Sequence, residues 1–225
     1  MRNDKILVFE RFTAAFIADV SRNPKAIFFE TCPLTIIIIE RGGSMKDSIM
    51  KVIRERRSVR NFEDKPVPDD LLNTVLEAVQ WTPSWANTQC WEIVVIKDPG
   101  VKEKIQDSFS KTNPAFKSIT GAPIVLALCA RTNESGYYKN AVTTKFGDWF
   151  MFDLGLATQS IGLAAHASGL GTVITGLFDQ DKAGAVINMP QGHELVTLIP
   201  LGFPSKIPSA PKRKEISEFT REDTF

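Results

Sequence analysis

Between Asp69 and Trp81, apolar residues at Leu71, Leu72, Val75, Leu76 and Val79 take the i, i+3, i+4, i+7 positions of an amphipathic helix. Pro68 and Asp69 suit its first turn, where a missing N–H is harmless and a carboxylate meets the positive helix end. Upstream, Ser44-Met45-Lys46-Asp47 reads as a helix entry, and Ile49, Met50, Ile53 and the stem of Arg57 share one face of that helix. Downstream, the apolar run Glu92–Ile96 reads as a buried strand ended by Asp98-Pro99-Gly100, then a helix over Val101–Ser110. Ala122–Ala130 is a second buried strand. The longest helical pattern covers roughly Lys145–Ser168 and is apolar on most sides, which predicts burial. Gly169 and Gly171 end it. A strand over Thr172–Leu177, a short helix from Asp179 to Ile187, a turn at Met189–Gly192 and a strand over Leu195–Leu201 complete the pattern. Helices and strands in this mixture predict an α+β domain.

Residues outside these elements read differently. Arg131–Lys145 is polar, with Gly136, Tyr137 and Tyr138, and suits a loop or lid. From Gly202 the chain carries Pro204, Pro208, Pro211, Lys206, Lys212, Arg213 and Lys214, a tail expected to lie across a surface. Residues 1–44 form a separate extension. Phe9–Val20 is interrupted by Glu10, Arg11 and Asp19 and makes a poor signal peptide. Leu34–Ile39 is too short to span a bilayer and suits a strand that would be aggregation-prone if exposed. Glu40–Met45 is also what a purine-rich ribosome-binding site gives when translated. The expectation is therefore a native start at Met45, with a domain over 45–225. The alternative is a genuine extension that adds a strand or arm.

Composition narrows the function. Apolar residues make up 43% and charged residues 24%, as in ordinary globular domains. The net charge of +1 gives no reason to expect nucleic acid or a membrane as partner. Three scattered cysteines and two histidines do not make a zinc site or require a disulfide, so a reducing cytoplasm is the expected location. His166, in the apolar helix, reads as a satisfied core residue, and His193 as an exposed turn residue.

The candidate chemistry lies at the two ends of Val52–Trp91. One end is Arg56-Arg57-Ser58-Val59-Arg60-Asn61-Phe62, where three arginines and a hydroxyl within five residues suit a phosphate. The other is Pro83-Ser84-Trp85-Ala86-Asn87-Thr88-Gln89-Cys90-Trp91, where Ser84, Asn87 and Gln89 suit a heterocycle's edge. Alone, the first is a solvated helix face and the second is turn chemistry. Together, in this order and spacing, they resemble the nitroreductase family of FMN-dependent oxidoreductases. That family carries Arg-Arg-Ser-x-Arg-x-Phe, then Pro-Val and a helix, then Pro-Ser-x-x-Asn-x-Gln-x-Trp. The resemblance runs from about Val52 to Phe219, through Gly169-Leu170-Gly171, Ile174-Thr175-Gly176, Met189-Pro190-Gln191-Gly192, Gly202-Phe203-Pro204 and Lys212-Arg213-Lys214. Cys90 departs from it where proline is common, and Thr175 where many members carry an acid.

The resemblance implies a nitroreductase-like fold, with a central mixed or antiparallel sheet flanked by helices in an intertwined homodimer. It implies FMN as cofactor and NADH or NADPH as donor. Arg56, Ser58 and Arg213 would hold the phosphate, with Lys212 and Lys214 as alternates and Arg57 acting through its backbone or facing solvent. Arg60 would lie near the pyrimidine end of the flavin, tuning its electronics. Pro83, Ser84, Trp85 and Asn87, with Gln89, would line the ring of the opposite subunit. Gly176, with no side chain, would let the backbone approach the flavin, and Thr175 beside it is a further cofactor-binding candidate. No side-chain nucleophile is needed. With no GxGxxG for a separate dinucleotide domain, donor and acceptor would share one pocket in a ping-pong order. The acceptors implied are nitroaromatics or quinones. Reductive dehalogenation, flavin fragmentation and a non-enzymatic flavin sensor are the alternatives.

Overall fold

The computed structural model describes residues 45–225. The readings of Phe9–Val20 and Leu34–Ile39, the Ser44 cap and the choice of start lie outside the described residues. In chain order the elements are α1 (Met45–Glu55), α2 (Asp69–Gln80), β1 (Trp91–Ile96), α3 (Pro99–Gln106), α4 (Phe116–Gly121) and β2 (Ile124–Arg131). There follow β3 (Tyr137–Tyr138), β4 (Ala141–Val142), α5 (Phe150–Ala167), β5 (Gly171–Thr172), α6 (Gln180–Val186) and β6 (His193–Gly202).

The run Ile124–Ala130 is buried throughout because β2 is central and covered on both faces. The four-stranded sheet has the order β1-β2-β6-β5 with antiparallel neighbours. Alternate β2 side chains serve different cores. Ile124, Leu126, Leu128 and Ala130 pack with Val75 of α2 and Leu154 and Ile161 of α5. Val125, Ala127 and Cys129 pack with Ile105 of α3, Ile119 of α4 and Ala183 of α6. Each fully buried leucine or isoleucine contributes about 1.5–3 kcal/mol of transfer free energy. The architecture is the expected α+β sheet flanked by helices, with its ladders antiparallel.

Several boundaries differ from the sequence expectation for local reasons. The long helix begins at Phe150, not near Lys145, because Gly147 takes φ +71° and Asp148 turns the chain. Asp148 Oδ1 accepts from the Phe150 N–H at 3.2 Å and Oδ2 from the Asn133 N–H at 2.6 Å. The expected helix over Val101–Ser110 starts earlier, at Pro99, where Asp98 Oδ1 accepts from the Val101 N–H. The strand over Thr172–Leu177 contracts to Gly171–Thr172 plus a lone Thr175–Leu198 bridge. The polar stretch 131–149 holds the small β3–β4 hairpin. α4 escapes the pattern because six residues give no measurable period.

α1 buries none of its residues, leaving Met45, Ile49 and Ile53 exposed. Among the described residues no helix is long and apolar enough to cross a membrane.

Candidate functional site

The basic motif is held as an extra strand on the sheet edge. The Val59 N–H donates to Thr172 O at 2.9 Å, and Ser58 pairs with Thr172 in a parallel bridge. Farther on, the Glu63 N–H donates to Phe203 O, and the Ser205 N–H to Asn61 O. Extended backbone alternates its side chains, so Val59 turns inward to 4% exposure while Arg60 is exposed. Val59 fits because residue 171 is glycine: a Cβ there would stand 2.7 Å from the valine Cβ. Gly171→Ala is expected to destabilise the protein by about 2 kcal/mol, as overpacking does, lowering the thermal midpoint by roughly 4–8 °C. An unchanged midpoint in a melting scan would refute this packing account.

This edge gathers positive charge. Burial, then the neighbouring Arg213 and Arg57 guanidiniums, pushes the Arg56 pKa down. No carboxylate forms an ion pair with these three arginines among the described residues. Arg57 turns its Nη1 onto the carbonyls of Arg54 at 2.6 Å and Arg56 at 2.8 Å, capping the end of α1. Arg60 Nη1 reaches Ser58 O at 3.3 Å. Lys212 and Arg213 stand exposed on the tail. A cavity of about 110 Å³ opens beside Arg56, with Gly162, His166 and Thr172 in its wall. A partly desolvated Arg56 beside Arg57 and Arg213, with no counter-anion among the described residues, suits a bound anion such as a flavin phosphate.

The polar loop sits on a residue that the sequence pattern hid. Asp153, fully buried in α5, accepts the Trp85 N–H at 2.9 Å through Oδ1. Its Oδ2 accepts the Ser135 hydroxyl at 2.6 Å and the Cys90 thiol at 3.7 Å. Burial, then Asp153, pushes the Cys90 thiol up to about 12, so it stays protonated and inert. Ala86, Asn87 and Gln89 all take positive φ, at 46°, 58° and 48°. This strained conformation is held by short bonds. The Gln89 N–H donates to Ser84 Oγ at 2.9 Å, Gln89 Nε2 to Asn87 Oδ1 at 3.1 Å, and Arg131 Nη2 to Gln89 O at 3.2 Å. Pro83, Asn87 and Gln89 remain at least partly exposed, as do Ser84 and Trp85. Thr88 Oγ1 is buried with no partner among the described residues.

Asp153 and Gly162 place the two motifs at different stations of α5, about 14 Å apart along its axis. Thr175 is buried, and its hydroxyl donates to Leu198 O at 2.6 Å, a backbone bond within the fold. Gly176 is exposed, with no atom near the position of a Cβ. His193 is more enclosed than a turn residue suggests: Nε2 lies 3.2 Å from Glu92 Oε2, an ion-pair distance without hydrogen-bond alignment. Sequence reasoning missed Asp153, Arg131 and Ser135. The one legible signal was a lone carboxylate inside an otherwise apolar helix.

Comparisons agree with this geometry. A Methanothermobacter thermautotrophicus protein, provisionally named an NADH dehydrogenase/NAD(P)H nitroreductase, is 28% identical over 171 residues, covering 74% of this chain and 83% of its own. The iodotyrosine deiodinase of Hydra vulgaris is 27% identical over 194 residues, covering 72% of this chain and 68% of its own. The structure of an FMN-dependent nitroreductase from Clostridium difficile superposes with a TM-score of 0.66 at 19% identity, covering 78% of this chain and 99% of that one. The profile of the nitroreductase family itself matches residues 53–203, two-thirds of the chain and both polar motifs, and the chain belongs to that family.

Proposed function

We propose that this protein is an FMN-dependent NAD(P)H oxidoreductase that delivers electrons to nitroaromatic, quinone or related acceptors in the cytoplasm. The observation that carries the reading is the convergence of Arg56, Arg57 and Arg213 without a counter-anion among the described residues, beside a cavity walled by Gly162 and Gly171. In this reading Arg56, Ser58 and Arg213, with Lys212, hold the phosphate. Arg60 faces the pyrimidine end of the ring. Pro83, Ser84, Trp85, Asn87 and Gln89 supply one wall, and Gly176 offers open backbone. FMN held by these residues would supply the hydride-transfer redox chemistry between nicotinamide donor and acceptor. The protein's part is to orient, exclude water and stabilise negative charge. The inert Cys90 thiol accords with a site that needs no side-chain nucleophile.

A homodimer belongs to the same reading. The exposed apolar face of α1, with Met151 and Phe152 on α5 and Ile216 and Phe219 on the tail, is apolar surface suited to a second copy. The loop at Trp85 would then line the flavin of the partner subunit.

The test is an anaerobic absorbance spectrum of purified protein before and after addition of NADH or NADPH. Oxidised-flavin bands that bleach are the expected result. Absence of flavin bands after incubation with FMN would overturn the reading. The likeness to a deiodinase favours a second one, reductive dehalogenation. It would appear as stoichiometric halide release from a halogenated phenol added to the reduced protein.

A further inference from the structure

We propose that His166 is a phosphate ligand of this site, and that its ring N–H helps select a phosphorylated flavin over riboflavin; the inference rests on the FMN reading above. His166 lies on the last turn of α5, four residues after Gly162, and so on the same helix face. A Cβ on Gly162 would stand 3.2 Å from Arg56 Cδ, so the arginine stem crosses the helix there. The imidazole therefore lies one turn beyond the crossing, and both side chains line the same cavity.

The cavity's charges explain what His166 faces. Arg56 and Arg57 come from the end of α1, and Arg213 acts on Arg56 from the tail. The one carboxylate in the wall, Glu55, is exposed. His166 itself is only partly exposed, yet neither ring nitrogen has a hydrogen bond or ion pair among the described residues. A packed core histidine would have its ring satisfied. Here an imidazole stands among cations. Its ring offers an N–H donor that no protein group among the described residues accepts. A phosphate oxygen held by the neighbouring guanidiniums satisfies that donor. For riboflavin a neutral hydroxyl replaces the dianion, and the charge-assisted bond is lost.

The experiment titrates FMN and riboflavin into the deflavinated full-length protein and follows quenching of flavin fluorescence. His166→Phe and His166→Leu remove the donor, and His166→Gln restores one. The donor-free variants are expected to bind FMN about 10-fold more weakly than the parent, the size of one hydrogen bond to a charged group. Their riboflavin affinity should stay unchanged, and His166→Gln should recover most of the FMN loss. Equal loss for both flavins, no loss for either, or failure of both donor-free variants to fold would overturn the proposal in favour of a packing role. A parent protein that binds neither flavin would instead overturn the FMN reading itself.

Discussion

Arg56→Ala is expected to weaken FMN binding by about 100-fold, roughly 3 kcal/mol, while the flavin-free variant melts no lower than the parent. The two halves of this result have one cause. Arg56 is partly desolvated and faces Arg213 and Arg57, so its charged form is less favourable in the empty fold than in water. Truncation relieves that repulsion and leaves no buried carboxylate unpaired, because none pairs with Arg56 among the described residues. With a phosphate present the sign reverses, and the same desolvation strengthens each N–H···O bond to the ligand. Arg57 supplies the contrast. Its guanidinium already caps Arg54 O and Arg56 O, so Arg57→Ala should cost helix stability and change FMN affinity less. Fluorescence titration and thermal melts of the deflavinated variants separate the cases. An Arg56→Ala protein that binds FMN as the parent does would remove Arg56 from the phosphate site.

The contrast between those arginines shows what the sequence could and could not reveal. The spacing of Arg56, Arg57, Ser58 and Arg60 suggested an anion site, because chain neighbours in extended or turning backbone stay close whatever the fold. It did not reveal which guanidinium is free, since that depends on where α1 ends. The helix at Asp69–Gln80 and the strand at Ile124–Arg131 were legible because burial imposes a period or an unbroken apolar run over many residues. Short elements such as Phe116–Gly121 and Gly171–Thr172 carry no such record and depend on tertiary pairing. Thr175 is a flavin candidate by its place beside Gly176, and the tie of its hydroxyl to Leu198 O, 23 residues away, is a pairing that no local pattern displays. His166 looked like a core histidine because its helix is apolar. Its neighbours in the cavity come from α1 and the strand after Gly169, which no helical wheel displays.

Asp153→Ala is expected to destabilise the protein by about 2–4 kcal/mol and to abolish stable flavin retention. The buried carboxylate accepts from three donors in two distant segments: the Trp85 N–H, the Ser135 hydroxyl and the Cys90 thiol. Orphaning a buried donor costs about 1–3 kcal/mol, and Ser135 and Cys90 have no solvent to turn to. Removing the carboxylate also removes its own desolvation penalty, which offsets part of the loss and keeps the total below the sum. The functional damage follows from strain. Ala86, Asn87 and Gln89 hold left-handed backbone conformations that relax once the tether at Trp85 is cut, so the loop leaves its position even in a folded molecule. Asp153→Asn divides these effects. Its carboxamide oxygen still accepts the Trp85 N–H, and its NH₂ donates to a rotated Ser135 hydroxyl, so stability falls less than in the alanine variant. Loss of the neighbouring charge lowers the Cys90 pKa from about 12, with burial still holding it above an ordinary thiol. Thermal melting, flavin content after gel filtration and a thiolate absorbance titration measure the three consequences. A flavin-replete Asp153→Ala protein melting with the parent would show that the loop is held without this carboxylate.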